Sequence, residues 1–326
     1  MRILRVGVVG VGHLGQHHAR HYAEIEGCHL VGVVDTDRKA ATRIAKQHST
    51  QAFFDHRKLI GEADAVSVVV PTTLHYAIAR ELLEAGIHVM VEKPFTTTVE
   101  EARDLINLAS RKGLILQVGH IERFNVAVIK LQELLTNPGF IESHRLGPYD
   151  PRVRDVGVVF DLMIHDIDII LQLVRSPIAS LEAVGVPILS NREDIANARI
   201  KFANGCQANL TVSRVTPTRM RKIRIFQPNT YVSVDYSKKS IELYKKVSIE
   251  GAEEGEPGAQ ITRKRLRLST EDQLNRELTH FLRCIREGTQ PEVTGEHGLN
   301  ALEVANQIVE KIQENFKNLE HLMTDG

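Results

Sequence analysis

An α/β chain, with a doubly wound parallel domain followed by an α+β domain on a largely antiparallel open sheet, is the fold class this sequence predicts, on three observations. Between residues 3 and 119, short Val-rich runs alternate with longer amphipathic stretches, the rhythm of βαβ units around a sheet buried on both faces. A Gly-x-Gly-x-x-Gly run at 10–15 joins the first apolar run to the first amphipathic one, the turn that opens many such domains. Beyond residue 120 the rhythm breaks and alternating strand patterns take over. At ~100–200 residues per domain, a chain of 326 residues has room for two, expected at 1–119 and 120–326.

The elements follow in order. ILRVGVVG, HLVGVVD, AVSVVVP, HVMVEKP and LILQVGH read as strands, with helices over 14–25, 37–48, 75–85 and 98–112 between them. The second domain opens with a helix near 125–136 and a strand around 140–147, then an irregular GPYDPRVRDVG stretch and a helix across 158–174. In ARIKFANGCQANLTVSR, Asn204-Gly205 separates two alternating runs, a strong hairpin signal. RKIRIFQPNTYVSVDY and SIELYKKV continue the antiparallel pattern, with Pro228-Asn229 at a turn. The acidic, Gly-rich GAEEGEPGA at 251–259 reads as a mobile loop, and helices over 271–287 and 298–317 close the chain.

Composition narrows the partners. Lys plus Arg number 41 and Asp plus Glu 41, so no net field draws a polyanion or an anionic membrane to the surface, and a small molecule is the expected partner. No window holds the ~18 consecutive apolar residues of a membrane span, and the N-terminal apolar stretch is a strand rather than a signal segment. Three cysteines, Cys28, Cys206 and Cys284, are widely spaced and fit neither a disulfide framework nor a zinc site, which suits a reducing cytoplasm.

Gly10, Gly12 and Gly15 sit where a strand turns into a helix, with His13 and Leu14 completing the loop. There the helix N-terminus offers free N–H groups and the positive end of its dipole to a pyrophosphate, with no need for Lys or Arg. Asp35 closes the second strand about 20 residues on, where a carboxylate accepts from a ribose 2′-hydroxyl and repels a 2′-phosphate. The cofactor expected is NAD, although Arg38 lies nearby.

Chemistry is expected at two further places. Lys93, in Glu92-Lys93-Pro94, ends a parallel strand on the side where open α/β sheets bind ligands, and the proline restricts its backbone to extended conformations. Asp161, His165 and Asp168 are spaced i, i+4, i+7, one face of a helix, where a carboxylate can orient an imidazole as a general base. A metal at this face is the weaker alternative, and no metal is expected. His17 and His21 also stand at i, i+4 but lack a third ligand, and read as a solvated helix face.

GxGxxG at 10–15, VVVPTTLH at 68–75, EKP at 92–94 and the DxxxH of Asp161 and His165 occur in an order that resembles the glucose–fructose oxidoreductase/inositol dehydrogenase/MocA family over nearly the whole chain. The resemblance implies a Rossmann domain, a C-terminal domain whose open sheet supports homodimers or homotetramers, and NAD-dependent oxidation of a sugar hydroxyl. It implies that Lys93 contacts the substrate hydroxyl and nicotinamide ribose, that Asp161 binds substrate and that His165 is the catalytic imidazole. Pro71, Thr72 and His75 then line the dinucleotide, with Glu92 beside them. GHIERFN at 119–125 and the stretch 145–169 are similar to the branch that includes UDP-N-acetylglucosamine 3-dehydrogenases, which serve lipid A diamino-sugar synthesis. There Arg123, Asn125, Arg152 and Arg154 are substrate-binding candidates, the arginines as bidentate donors to a diphosphate. Many relatives carry Gly-rich residues ahead of the Asp of DxxxH, where this chain has Val158-Val159-Phe160. A free polyol or other sugar dehydrogenase, and a non-catalytic dinucleotide-binding sensor, are the alternatives.

Overall fold

The computed structural model describes residues 2–150, 156–236, 238, 240–248, 259–269 and 271–324, with 248, 259 and 317–324 described by backbone alone. The chain divides into two compact units, Met1–Phe124 with Glu271–Glu303, and Asn125–Thr270 with Val304–Gly326.

In the first unit, β1 (Leu4–Val9), α1 (Gly15–Glu24), β2 (Cys28–Val34), α2 (Arg38–Gln47), β3 (Gln51–Phe53), β4 (Ala65–Val68), α3 (His75–Glu84), β5 (His88–Glu92), α4 (Val99–Lys112) and β6 (Leu116–Gly119) follow one another. The six strands are parallel in the order β3-β2-β1-β4-β5-β6. Their order reverses beside β1, and in such sheets ligands bind at that switch point, beyond the carboxyl ends of the strands. Local chemistry sets the helix ends. Asp37 accepts from the Lys39 and Ala40 amides to start α2, and Thr98 with Glu101 forms a capping box on α4.

The second unit runs through α5 (Val126–Leu134), β7 (Phe140–Leu146), α6 (Ile164–Val174), β8 (Ile178–Val186), β9 (Ile195–Phe202), β10 (Gln207–Ser213), β11 (Met220–Gln227), β12 (Thr230–Asp235), β13 (Ser240–Ser248) and β14 (Ala259–Arg267). Its eight strands take the order β14-β13-β12-β11-β7-β10-β9-β8, antiparallel except for β7 beside β10. The expected β9–β10 hairpin forms with Gly205 at φ +88°, and Asn229 at φ +58° turns β11 into β12. Strict alternation buries Ala196, Ala198, Ile200 and Phe202 on one face of β9. The short β3 and the edge strands β8 and β14 were not among the expected elements, and most of the 251–259 stretch read as a loop lies outside the described residues.

Two expectations need correction. The α7 (Gln273–Glu287) and the opening turns of α8 (Gly295–Thr324) pack with the first unit, so a boundary at 119/120 misplaces them. The cause is the apolar stripe of α7, whose Leu274, Leu278, Phe281 and Leu282 share one core with Leu4, Val6, Val8 and Tyr22. Each such side chain stabilises by roughly 1.5–3 kcal/mol when fully buried. His21 is accordingly no solvated residue. It is 4% exposed, with Nε2 3.2 Å from Asp272 Oδ2 at the α7 N-terminus, because α7 covers that face of α1. Burial holds its imidazole below the usual histidine range, against the opposing charge of Asp272. Cys28, Cys206 and Cys284 are all unpaired thiols. Among the described residues no helix is long and apolar enough to cross a membrane, and no three acidic, His or Cys side chains cluster as metal ligands.

Candidate active site

The loop after β1 has the geometry of a pyrophosphate cradle. Gly10 adopts φ +87°, and a Cβ there would lie 2.3 Å from the Val69 carbonyl oxygen. At Gly15 a Cβ would meet the Gly10 oxygen at 1.8 Å, so the helix can start this close to the strand only on glycine. Gly12 differs, since an added Cβ meets nothing within 4 Å and is tolerated by the protein itself. No side chain caps α1 at Leu14, where the Gln16 and His17 amides donate to the Gly12 and Leu14 carbonyls. Asp35, just past β2, is tied to this loop: Oδ2 accepts from the Val11 amide at 2.9 Å and Oδ1 from the Asp37 amide at 2.9 Å. Arg38 lies 4.3 Å over the Phe54 ring on the surface.

These residues fit a dinucleotide. They also separate two roles that glycine plays. Gly12→Val is expected to leave the thermal midpoint within about 2 °C of wild type and to raise the NAD dissociation constant at least about tenfold. Calorimetric NAD titration beside a melting curve checks this, and a variant that binds NAD normally contradicts it.

The strand ends beyond β4 and β5 are stapled together by His75. Its Nε2 is 2.8 Å from the Val70 oxygen, and its Nδ1 is 2.9 Å from the Pro94 oxygen and 3.3 Å from that of Phe95. Burial holds this imidazole below the usual histidine range, and a neutral ring has one N–H, so it donates at only one edge at a time. Pro71 precedes the turn at Thr72–Leu74 that leads into α3. Lys93 follows β5 half-buried, joined to Pro94 by a cis peptide bond. The Glu92 side chain, expected to lie along the dinucleotide, turns inward, where Oε2 accepts from the Lys93 amide and Oε1 lies 3.2 Å from His18 Nε2. Arg123 sits in the turn Ile121–Phe124 at 3% exposure.

In the second unit, Asp161 lies in a π-helical turn, Val159–Met163, that runs into α6 and carries His165 one turn on. A π turn inserts an extra residue and re-aims the side chains around it. Asp161 and His165 are both half-buried, whereas Asp168 is 1% exposed, so the expected three-residue face is a pair with Asp168 beneath it. The rotation of α6 is fixed from below. Arg145 on β7 forks onto Asp166 at 2.9 and 3.1 Å, both side chains buried, which leaves the adjacent His165 on the outer side. Val158 donates to the Glu193 carbonyl and Val159 to its carboxylate, anchoring the start of the π turn. Asn125 caps α5 through the Ala127 amide, a role the sequence reading missed although Asn before an apolar run signals it. Arg152 and Arg154 lie outside the described residues.

A family model described as an oxidoreductase family with an NAD-binding Rossmann fold matches residues 4–120, and one for the GFO/IDH/MocA C-terminal domain matches 140–233. The chain belongs to the GFO/IDH/MocA oxidoreductase family. As a GFO/IDH/MocA protein it is an NAD-dependent dehydrogenase. UDP-N-acetylglucosamine 3-dehydrogenase of Acidithiobacillus ferrooxidans is 37% identical over 306 residues, covering 94% of this chain and 96% of that protein. A solved structure of that enzyme superposes with a TM-score of 0.89 at 36% identity, over 96% of this chain and 99% of its own. Scyllo-inositol 2-dehydrogenase of Bacillus subtilis is 27% identical, over 66% of this chain and 68% of its own. A Lactobacillus casei scyllo-inositol dehydrogenase, solved with NAD(H) and scyllo-inositol, shares the fold at a TM-score of 0.81 and 20% identity, with 96% of this chain and 98% of that one covered.

Proposed function

We propose that this protein oxidises the 3-hydroxyl of UDP-N-acetylglucosamine to a ketone. The observation that carries the reading is the end-to-end match to a dehydrogenase of that name, at 37% identity over 94% of the chain, against 27% over 66% for the inositol enzyme. Such a match includes the second unit as well as the dinucleotide-binding one.

NAD, when bound, supplies the acceptor for the hydride. The protein's own residues divide the rest. The Lys93 ammonium donates to the reacting hydroxyl oxygen and stabilises the charge that grows there. His165 takes the hydroxyl proton on a ring nitrogen, and Asp161 holds the sugar. Arg123, Arg152 and Arg154 are the proposed donors to the diphosphate, and Asn125, just after Arg123 in sequence, holds the start of α5.

NADH formation with purified protein and NAD, measured on UDP-N-acetylglucosamine beside UDP-glucose, inositol and free N-acetylglucosamine, tests the reading. A ketone scavenger draws the equilibrium forward. Turnover confined to the UDP-amino sugar is the expected outcome. Turnover on inositol or the free sugar alone would replace the substrate and keep the family chemistry.

A further inference from the structure

The π turn that bears Asp161 begins without a cap of its own. Val158 stands at the cap position, and its side chain has no oxygen to offer the amides that follow. The acceptor comes from a distant part of the sequence. Glu193, in the loop between β8 and β9, accepts from the Val158 amide through its main-chain carbonyl at 3.0 Å and from the Val159 amide through Oε1 at 3.3 Å.

Glycine makes room for this contact on both sides of Glu193. A Cβ on Gly157 would lie 1.8 Å from Glu193 Oε1, 2.3 Å from its Cδ and 2.5 Å from its Oε2, and these are the three atoms nearest to it. On β8, a Cβ on Gly185 would lie 3.2 Å from the Glu193 Cβ. Gly157 is buried and its φ lies outside the left-handed region, so the demand for glycine there comes from the Glu193 carboxyl group rather than from the backbone.

The loop that presents Glu193 is itself fastened. Its next residue, Asp194, accepts from the Ile188, Leu189 and Ser190 amides and from Arg214 Nε, and the same guanidinium donates to the Val156 carbonyl just before Gly157. Further along the helix, Asp166 is tied to Arg145 independently of this anchor. Loss of the Glu193 carboxyl group therefore disturbs Asp161, inside the π turn, more than His165 beyond it.

We propose that Glu193 is a positioning residue for Asp161: reaching in from the β8–β9 loop through the space that Gly157 leaves, its carboxyl group holds the Val159 amide and so sets where the π turn places the Asp161 side chain against the sugar. The inference rests on Asp161 holding the substrate.

Steady-state kinetics on UDP-N-acetylglucosamine, melting curves and hydrogen exchange of the segment 157–163 test it, with Glu193→Ala, Glu193→Gln, Gly157→Ala, the double variant Gly157→Ala/Glu193→Ala, and Asp161→Ala as reference. Glu193→Ala is expected to raise KM about tenfold or more, with kcat and the NAD dissociation constant within about threefold of wild type. Glu193→Gln still offers an oxygen to Val159 and recovers KM to within about threefold. Gly157→Ala has to push the carboxyl group off Val159, so it raises KM as Glu193→Ala does, and the double variant is no worse than either single one. Each of these alanine variants lowers the melting point by only about 2–4 °C, and the segment 157–163 exchanges faster in each. A merely structural cap would lower the melting point and leave KM unmoved. Asp161→Ala raising KM while Glu193→Ala or Gly157→Ala keeps the wild-type value overturns the positioning role. Unchanged exchange across 157–163 in Glu193→Ala overturns the anchor itself, without requiring any turnover. If Asp161→Ala keeps the wild-type KM, the sugar-holding role of Asp161 fails, and the role of Glu193 with it. A wild type that turns over no UDP-N-acetylglucosamine overturns the function reading alone, and exchange still decides the anchor.

Discussion

Replacing His165 with alanine is expected to lower kcat by about 10²–10⁴-fold while NAD affinity stays within about twofold of wild type. The imidazole is the side chain whose ordinary pKa lies nearest neutrality, and oxidation of an alcohol releases a proton that some group must take. The half-buried His165 is carried on α6, which Asp166 and the buried apolar face hold in place. The glycine loop and Asp35 belong to the other unit. Steady-state kinetics with a calorimetric NAD titration reads both quantities. A variant that retains half or more of its turnover assigns the proton to another group, with Lys93 the first to test.

The second large effect falls on stability. Asp194 is 0% exposed and Arg214 3%, and their Oδ1 and Nε atoms stand 2.6 Å apart. Burial works against the Asp194 charge, but the Ile188, Leu189 and Ser190 amides and Arg214 outweigh it and hold the carboxyl well below its usual range. Arg214 also donates to the Val156 carbonyl at 2.6 Å, at the threshold of the π turn that bears Asp161. Removing one partner of a buried pair leaves the other uncompensated, so Asp194→Ala should cost about 3–5 kcal/mol. In a chain of this size that lowers the melting point by ~10 °C or more. The pH dependence has a definite sign. A carboxyl whose folded pKa is depressed contributes stability in full above its unfolded value, near pH ~4, and loses it as the pH falls further. The gap between wild type and Asp194→Ala should therefore be widest near neutrality and narrow in acid. Equal melting points at pH 7 contradict the account.

Much of this was legible in the sequence because it rests on short-range physics. Gly10, Gly12 and Gly15 fall within one short segment, 10–15, and Asp35 follows the adjacent strand, so spacing alone points to a dinucleotide loop. Asn204-Gly205 marks its hairpin in the same way. What stayed hidden depends on contacts between distant residues. Glu277, 0% exposed, reads as one more polar position on an amphipathic helix until α7 is seen packed on α1. His21 reads as solvated for the same reason. Asp194 and Arg214 are 20 residues apart and carry no local pattern. The π turn is hidden differently, because DLMIHDID has the apolar spacing of an ordinary helix, and the residue that anchors its start, Glu193, is distant in sequence. Periodicity therefore put Asp168 on the same face as Asp161 and His165, where the structure buries it.

The central claim is oxidation at one particular carbon, and deuterium transfer reads it directly. Purified protein is given NAD and UDP-N-acetylglucosamine deuterated at sugar C3, and the reduced cofactor is examined by mass spectrometry and NMR. The account predicts one deuteron at nicotinamide C4 for each ketone formed and slower reduction than with unlabelled substrate. Reduced cofactor carrying only protium, or no reduction while another sugar or polyol is oxidised, would contradict it.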